Sequence, residues 1–157
     1  MYQQNQSIIY PLPTDALLQE REVAWRVKLP DDYKEFIKKE NGVIPSKRYF
    51  HFEHNEKVID RFLAILAISG EKTEEDYDIG VVSTQLEGRI VFDEDNVGMQ
   101  LIPIAVLFGG DFVCLNYVED SEKPSICIWY HEESYELEPA IEFLANNFTE
   151  FLAMLQD

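Results

Sequence analysis

Few side chains in this sequence stand where they could do chemistry. The stretch HFEH at 51–54 places two imidazoles and a carboxylate close together, the ligand types that zinc takes in a tetrahedral set. Read as a strand, however, it puts His51 and Glu53 on one face and His54 on the other, and no third ligand stands nearby. The run DEDNVG at 93–98 imitates the start of a calcium loop, with Asp93, Asp95 and Gly98 in place. Val97 and Ile104 then occupy the fifth and twelfth positions, where such a loop needs oxygen ligands. FGGD at 108–111 lacks the lysine and hydroxyl of a phosphate-binding loop, so its glycines serve a chain reversal. No serine sits in a G-x-S-x-G elbow. Cys114 can meet His131 across a hairpin, but Cys114 and Cys127 both lie in apolar strands, where burial raises a thiol's pKa and makes it inert. Carboxylate pairs are frequent, yet with 30 acidic residues proximity is expected by chance. These residues point to no catalytic centre, no metal and no cofactor.

Negative charge is what the chain has in excess. Thirty acidic residues face 13 basic ones, for a formal charge of −17. Such a chain repels a phosphate backbone and an anionic membrane, which argues against both as partners. The acids are also clustered: Glu119 to Asp157 holds ten of them and one basic residue, Lys123. EKTEEDYD at 71–78 and DEDN at 93–96 are denser still, whereas most basic residues fall between Arg26 and Arg61. A solvated face alone accounts for such clusters. The functional alternative is a surface that meets a basic protein, drawn from Glu74, Glu75, Asp76, Asp78, Asp93, Glu94, Asp95, Glu119, Asp120 and Glu122.

Elements that must position these residues are legible from periodicity and caps. At 157 residues and 46% hydrophobic composition the chain suits one domain with a sizeable core. Residues 1–13 read as a loose lead with no basic n-region, and 14–157 as the domain. The apolar run FLAILAI at 62–68 is far short of the roughly 20 residues a membrane helix needs. Two cysteines without CxxC spacing read as reduced core thiols, so a cytoplasmic setting is expected. Thr14 is a helix N-cap for DALLQEREVAW. In LPDDYKEFIKKENG at 29–42, Pro30 suits the first helical position, and Asp31 and Asp32 fall at the positive end of the dipole. Tyr33, Phe36 and Ile37 make the apolar stripe, Lys38 and Lys39 the last turn, and Asn41-Gly42 the C-cap.

Strand patterns follow. RYFHF at 48–52 and FLAILAIS at 62–69 are read as strands joined by a charged turn. GEKTEEDYDIG is a loop or exposed helix, and LEGRIVF a strand or a helix end. A strand reaching Val106 turns at Gly109-Gly110 into another from Phe112 to Val118, and SICIWYH returns after EDSEKP. In SICIWYH, Ile126, Ile128 and Tyr130 share one face and Cys127, Trp129 and His131 the other. A closing helix is expected from Pro139, with Ile141, Leu144, Phe148, Phe151, Leu152 and Leu155 as its stripe. The fold class is α+β: a mostly antiparallel sheet of five or six strands, with N-terminal helices and a C-terminal helix packed on it.

The order Glu22, Trp25, Val27, Leu29-Pro30, Tyr33, Phe36, Asn41-Gly42 resembles the N-terminal signature of the SUKH superfamily, which includes the fungal SMI/KNR-type cell-wall regulators. IPIAVLFGGDFVCLNY and ICIWYHE resemble that family's central strand pair and its W-x-H/D-E ending. Arg26, Val43 and Asn116 depart from the usual pattern. The resemblance spans about residues 15–155 and implies a non-enzymatic binding domain. Bacterial members are typically immunity proteins that bind secreted toxins, nucleases among them, so the implied partner is a protein toxin with a basic surface. Fungal relatives imply the alternative of a scaffold or regulatory module.

Overall fold

The computed structural model describes residues 6–67, 76–93 and 98–157. Helix α1 (Asp15–Trp25) begins where Thr14 Oγ1 accepts from the Leu17 amide at 3.1 Å. Its last turn closes on Arg26, which takes a left-handed conformation at φ 57°. Helix α2 (Asp31–Glu40) buries Tyr33 and Ile37, with Phe36 half-buried against the same core. Pro30 stands one position earlier than the sequence suggests, as the extended N-cap residue. Its fixed φ suits that place equally well.

Among the described residues six antiparallel strands form one sheet in simple sequence order, β1 (Tyr49–Phe52), β2 (Asn55–Phe62), β3 (Leu101–Leu107), β4 (Phe112–Asn116), β5 (Ser125–Trp129) and β6 (Ile141–Ala145). Between β2 and β3 the chain makes helix α3 (Ile79–Leu86) and a 3₁₀ turn at Glu87–Ile90, and it ends with helix α4 (Phe148–Ala153). Alternation along β2 and the cross-strand register put Phe62, Ala105, Val113 and Ile128 on one face. Phe36 of α2 and Phe148 and Phe151 of α4 pack on Phe62, with ring centroids 4.7–6.5 Å apart. Phe112 and Trp129 belong to the opposite face, where Trp129 Nε1 donates to the Arg89 carbonyl in the 3₁₀ turn.

Two expected elements differ. The charged stretch NEKVIDRF is the strand β2, whereas FLAILAIS contributes only Phe62 to it; of its remainder, 63–67 is buried or bent chain and 68–69 lie outside the described residues. Pairing with β1 and β3 on its two edges carries β2 despite its charges, since only Ile59 and Phe62 need to be fully buried. The closing helix is also shorter than its apolar stripe. Ile141–Ala145 pairs with β5, and the helix starts only after Asn147, whose Oδ1 accepts from the Glu150 amide at 2.8 Å. Spacings of three and four fit a helix, but a free edge on β5 offers this segment a ladder instead.

Asn41 is fully buried and joins three separate stretches. Its Nδ2 donates to the carbonyls of Ile9 at 3.1 Å and Ile65 at 3.3 Å, and its Oδ1 accepts from the Ile65 amide at 2.8 Å. Its own carbonyl accepts from the Ile9 amide at 2.8 Å. Residues 7–9 are therefore not loose: Ile9 is buried, and the Ser7 hydroxyl accepts from the Ile44 amide at 2.7 Å. Gly42 follows at φ +69°, and a side chain there would run into Ile9 Cδ1 at 2.6 Å.

Asn41→Ala should lower unfolding free energy by about 3 kcal/mol, because it strands buried backbone groups of Ile9 and Ile65. A urea midpoint within error of wild type would show that the clip is dispensable. Tyr33 makes the opposite case: its hydroxyl is buried without a partner among the described residues. Tyr33→Phe should leave stability unchanged or raise it by up to about 1 kcal/mol, whereas loss of the whole ring or of Phe36 should cost about 3 kcal/mol or more.

Candidate functional site

Gln100 organises one end of the sheet. Its Oε1 accepts from the amides of Phe92 at 2.6 Å and Asp93 at 3.3 Å, while its carbonyl accepts from the Tyr117 amide at 2.7 Å. The loop carrying Asp93 and the β4–β5 turn carrying Glu119, Asp120 and Glu122 are thereby held at the same end. These four acids are exposed. Asp120 also builds the turn, since its Oδ1 accepts from the amides of Glu122 at 2.8 Å and Lys123 at 3.2 Å. The chain between α1 and α2 borders them: the Lys28 amide donates to the Ser121 carbonyl, and Tyr117 Oη to the Lys28 carbonyl. Arg26 and Lys28 line a shallow groove of about 410 Å³ with Glu22 and Glu122, so two cations flank the acids there.

Asp76 and Asp78 stand elsewhere, before α3. Asp76 is exposed, but Asp78 is its N-cap: Oδ2 accepts from the Val81 amide at 3.1 Å and Oδ1 from the Leu66 amide at 2.9 Å. Both its oxygens hold backbone. Glu74, Glu75, Glu94 and Asp95 lie outside the described residues.

A second acidic surface, not singled out from the sequence, is built at the opposite end of the strands. The 3₁₀ turn and the loop 131–138 enclose a groove of about 490 Å³ lined by Glu87, Arg89, His131, Glu132, Tyr135 and Glu136 among others. Arg89 fastens it, donating through Nε to the Ser134 carbonyl at 3.2 Å and through a terminal nitrogen to the His131 carbonyl. The same guanidinium lies over Trp129, 5.1 Å from the ring centroid. The Leu137 amide donates to the Gly88 carbonyl at 2.9 Å, so both strips of chain are tied along their length. Tyr135 is left 64% exposed on this tied loop. The one sequence signal was the run HEESYELE itself, which mixes four acids with an aromatic.

Chemistry of the catalytic kind is poorly served. His131 Nδ1 lies 2.7 Å from Asp111 Oδ1, which also accepts the His131 amide at 2.9 Å. Cys114 instead pairs in register with Cys127, both buried, and burial followed by the Cys127 contact pushes its thiol well above the usual range. Gly110, at φ +101°, leaves room for the His131 ring, which a side chain would approach to 3.3 Å. The residues of GGD and WYH thus brace one another. In HFEH the strand ends at Phe52, and Glu53 turns left-handed at φ 58°, so the alternation expected there does not extend past Phe52. Among the described residues no group of three or more His, Cys, Asp and Glu side chains is placed to hold a metal. No helix among them is long and apolar enough to cross a membrane.

Fold and surface define an acidic α+β domain built on one meandering sheet. The family model SUKH_6, described as SMI1-KNR4 cell-wall, matches residues 15–152, and the chain belongs to this family. No curated protein and no solved structure matches it.

Arg89→Ala should free the loop 131–138, raising amide exchange there and lowering stability by about 2 kcal/mol, the range for hydrogen bonds from a charged donor. Arg89→Lys should not restore protection, because an ammonium cannot reproduce the planar fork or its stacking. Unchanged exchange in both variants would show that the loop is held without the guanidinium.

Proposed function

We propose that this chain is a non-enzymatic immunity protein that binds a bacterial toxin bearing a basic surface and blocks it in the cytoplasm. Family membership supports a binding role of this kind, and the distribution of charge supports a basic partner. The carrying observation is where the cations are used. Among the described residues, the ion pairs of Lys and Arg with carboxylates all fall within 15–60: Arg21–Glu20, Lys34–Glu22, Lys34–Asp31, Lys38–Asp15, Lys38–Glu35 and Arg48–Asp60. Glu119, Glu122, Glu132, Glu133 and Glu136 are exposed. Their field points outward.

The partner face on this reading is Asp93, Glu119, Asp120 and Glu122 at one end of the sheet; Asp76 stands apart from it before α3, and Glu74, Glu75, Glu94 and Asp95 lie outside the described residues. Asp78 contributes position rather than contact, since its carboxylate is engaged by two amides. A nuclease toxin must attract phosphate, so its cleft is basic and draws an acidic protein to the same place. Charge of this kind acts chiefly on encounter, raising association from about 10⁶ toward 10⁸–10⁹ M⁻¹s⁻¹ at low salt.

Co-expression with candidate basic toxin domains tests the role directly: growth should be rescued by this chain and by no unrelated protein of equal charge. With a rescued toxin in hand, Glu119→Gln combined with Glu122→Gln should slow association by about tenfold at low salt and leave dissociation nearly unchanged. Asp120 is kept, because its carboxylate builds the turn. An association rate indifferent to salt and to this double variant would place the contact on an uncharged surface.

A further inference from the structure

The two edges of the sheet are unequal. At β1, the Tyr49 amide donates to the Gln156 carbonyl at 3.1 Å and the Gln156 amide returns to the Tyr49 carbonyl at 2.7 Å, so the C-terminal chain closes that edge at Tyr49. At β6, pairing exists on one side only among the described residues. The Tyr130 amide donates to the Ala140 carbonyl at 2.9 Å, which sets those two at a hydrogen-bonded position of the ladder, although the Ala140 amide itself turns to Ser134 Oγ at 2.8 Å. Antiparallel ladders alternate, so Ile128–Glu142 is the next hydrogen-bonded pair. Trp129–Ile141 and Cys127–Phe143 fall between, and the N–H and C=O of Ile141 and Phe143 therefore point away from β5. Phe143 is 58% exposed beside them and Glu142 is exposed between them.

We infer that β6 is a docking edge for an extended segment of a partner protein, which adds as a seventh, antiparallel strand with a lysine or arginine opposite Glu142 and apolar residues opposite Ile141 and Phe143. Main-chain bonds to the two outward residues supply the attachment, and alternate side chains supply the choice of partner. A second copy of this chain fits badly. The symmetric pairing that uses both outward residues sets Ile141 opposite Phe143 of the copy and Glu142 directly opposite the copy's Glu142. Like charges at directly opposed positions disfavour that pairing, and each copy carries a formal charge of −17. A basic residue in the same place converts the repulsion to attraction. The inference rests on the proposal that the partner is a basic protein, and it names how part of that protein is held.

A hexapeptide alternating lysine and valine, acetylated and amidated, is the probe. Titrated into isotope-labelled protein, it should shift resonances over residues 138–145 and slow amide exchange at Ile141 and Phe143 by about tenfold at saturation. The same peptide with its pairing-edge amides N-methylated should not bind, and this control leaves the protein untouched. Glu142→Lys should lose the lysine peptide and gain one alternating glutamate and valine. Equal binding of the N-methylated peptide, or shifts centred on Glu119 to Glu122, would overturn strand addition. So would a concentration-dependent dimer without peptide, since a second copy would then hold the edge. No toxin enters this experiment: its failure leaves neutralisation through the acidic loops intact, and failure to rescue a poisoned cell leaves the edge intact.

Discussion

A single buried carboxamide sets the geometry on which the helical layer depends. Asn41 ends α2, yet its side chain reaches past the helix to the chain at Ile9 and to the chain at Ile65. A carboxamide can donate and accept at once, so it bridges a strand-like segment as another strand would. Neither Asp nor Leu does this: one lacks the donors and the other lacks both. With that joint fixed, the Val43 carbonyl accepts the Phe62 amide at 2.8 Å, and α2 lies with Phe36 on Phe62. α4 then fills the remaining space against Phe62 and Phe50.

Legibility in the sequence follows the range of the interactions. The N-cap of α1 and the stripe of α2 were readable because each depends on residues within four positions. The hairpin of β3 and β4 was readable for the same reason, through the Gly109-Gly110 reversal. Asn41 was read as half of a C-cap, and its neighbour Gly42 does adopt positive φ. What could not be read is that Asn41 serves residues 32 and 24 positions away. β2 and β6 failed for a related reason. Their assignment is made by an available partner edge, which no local pattern announces, and it overrides charge in one case and helical spacing in the other.

The candidate surfaces divide along the same line. Acidic turns are visible as composition, and Asp93, Glu119, Asp120 and Glu122 do stand at one end of the sheet. Their grouping depends on Gln100, a residue with nothing to distinguish it in the sequence. The groove beside Tyr135 depends on Arg89, whose two acceptors lie 42 and 45 positions further on. An isolated arginine in an acidic chain suggests a stray counter-charge. Here it is a structural donor whose charge is spent on carbonyls and on the face of Trp129.

That use of cations separates stability from recognition. Ion pairs in the first 60 residues join α1 to α2, through Lys38 to Asp15 and Lys34 to Glu22, and so belong to the scaffold. Being mostly exposed, each adds little stability, and the carboxylates they engage are those of the scaffold and not those of the acidic turns. Beyond residue 61, among the described residues, Arg89 is turned inward and Lys123 stands among acids. The strands β3, β4 and β5 are apolar on both faces and need no charge to pack. Loops at the ends of these strands can therefore carry carboxylates at small cost to the fold, because their backbones are held by Gln100, Arg89 and one acid, Asp120, while the other exposed acids there are left to face solvent. A sheet of this design tolerates wide variation in its acidic turns while its core is unchanged. That independence is what the proposed binding of a basic partner asks of the fold, since acids that face solvent can act on a partner only if the scaffold does not need them.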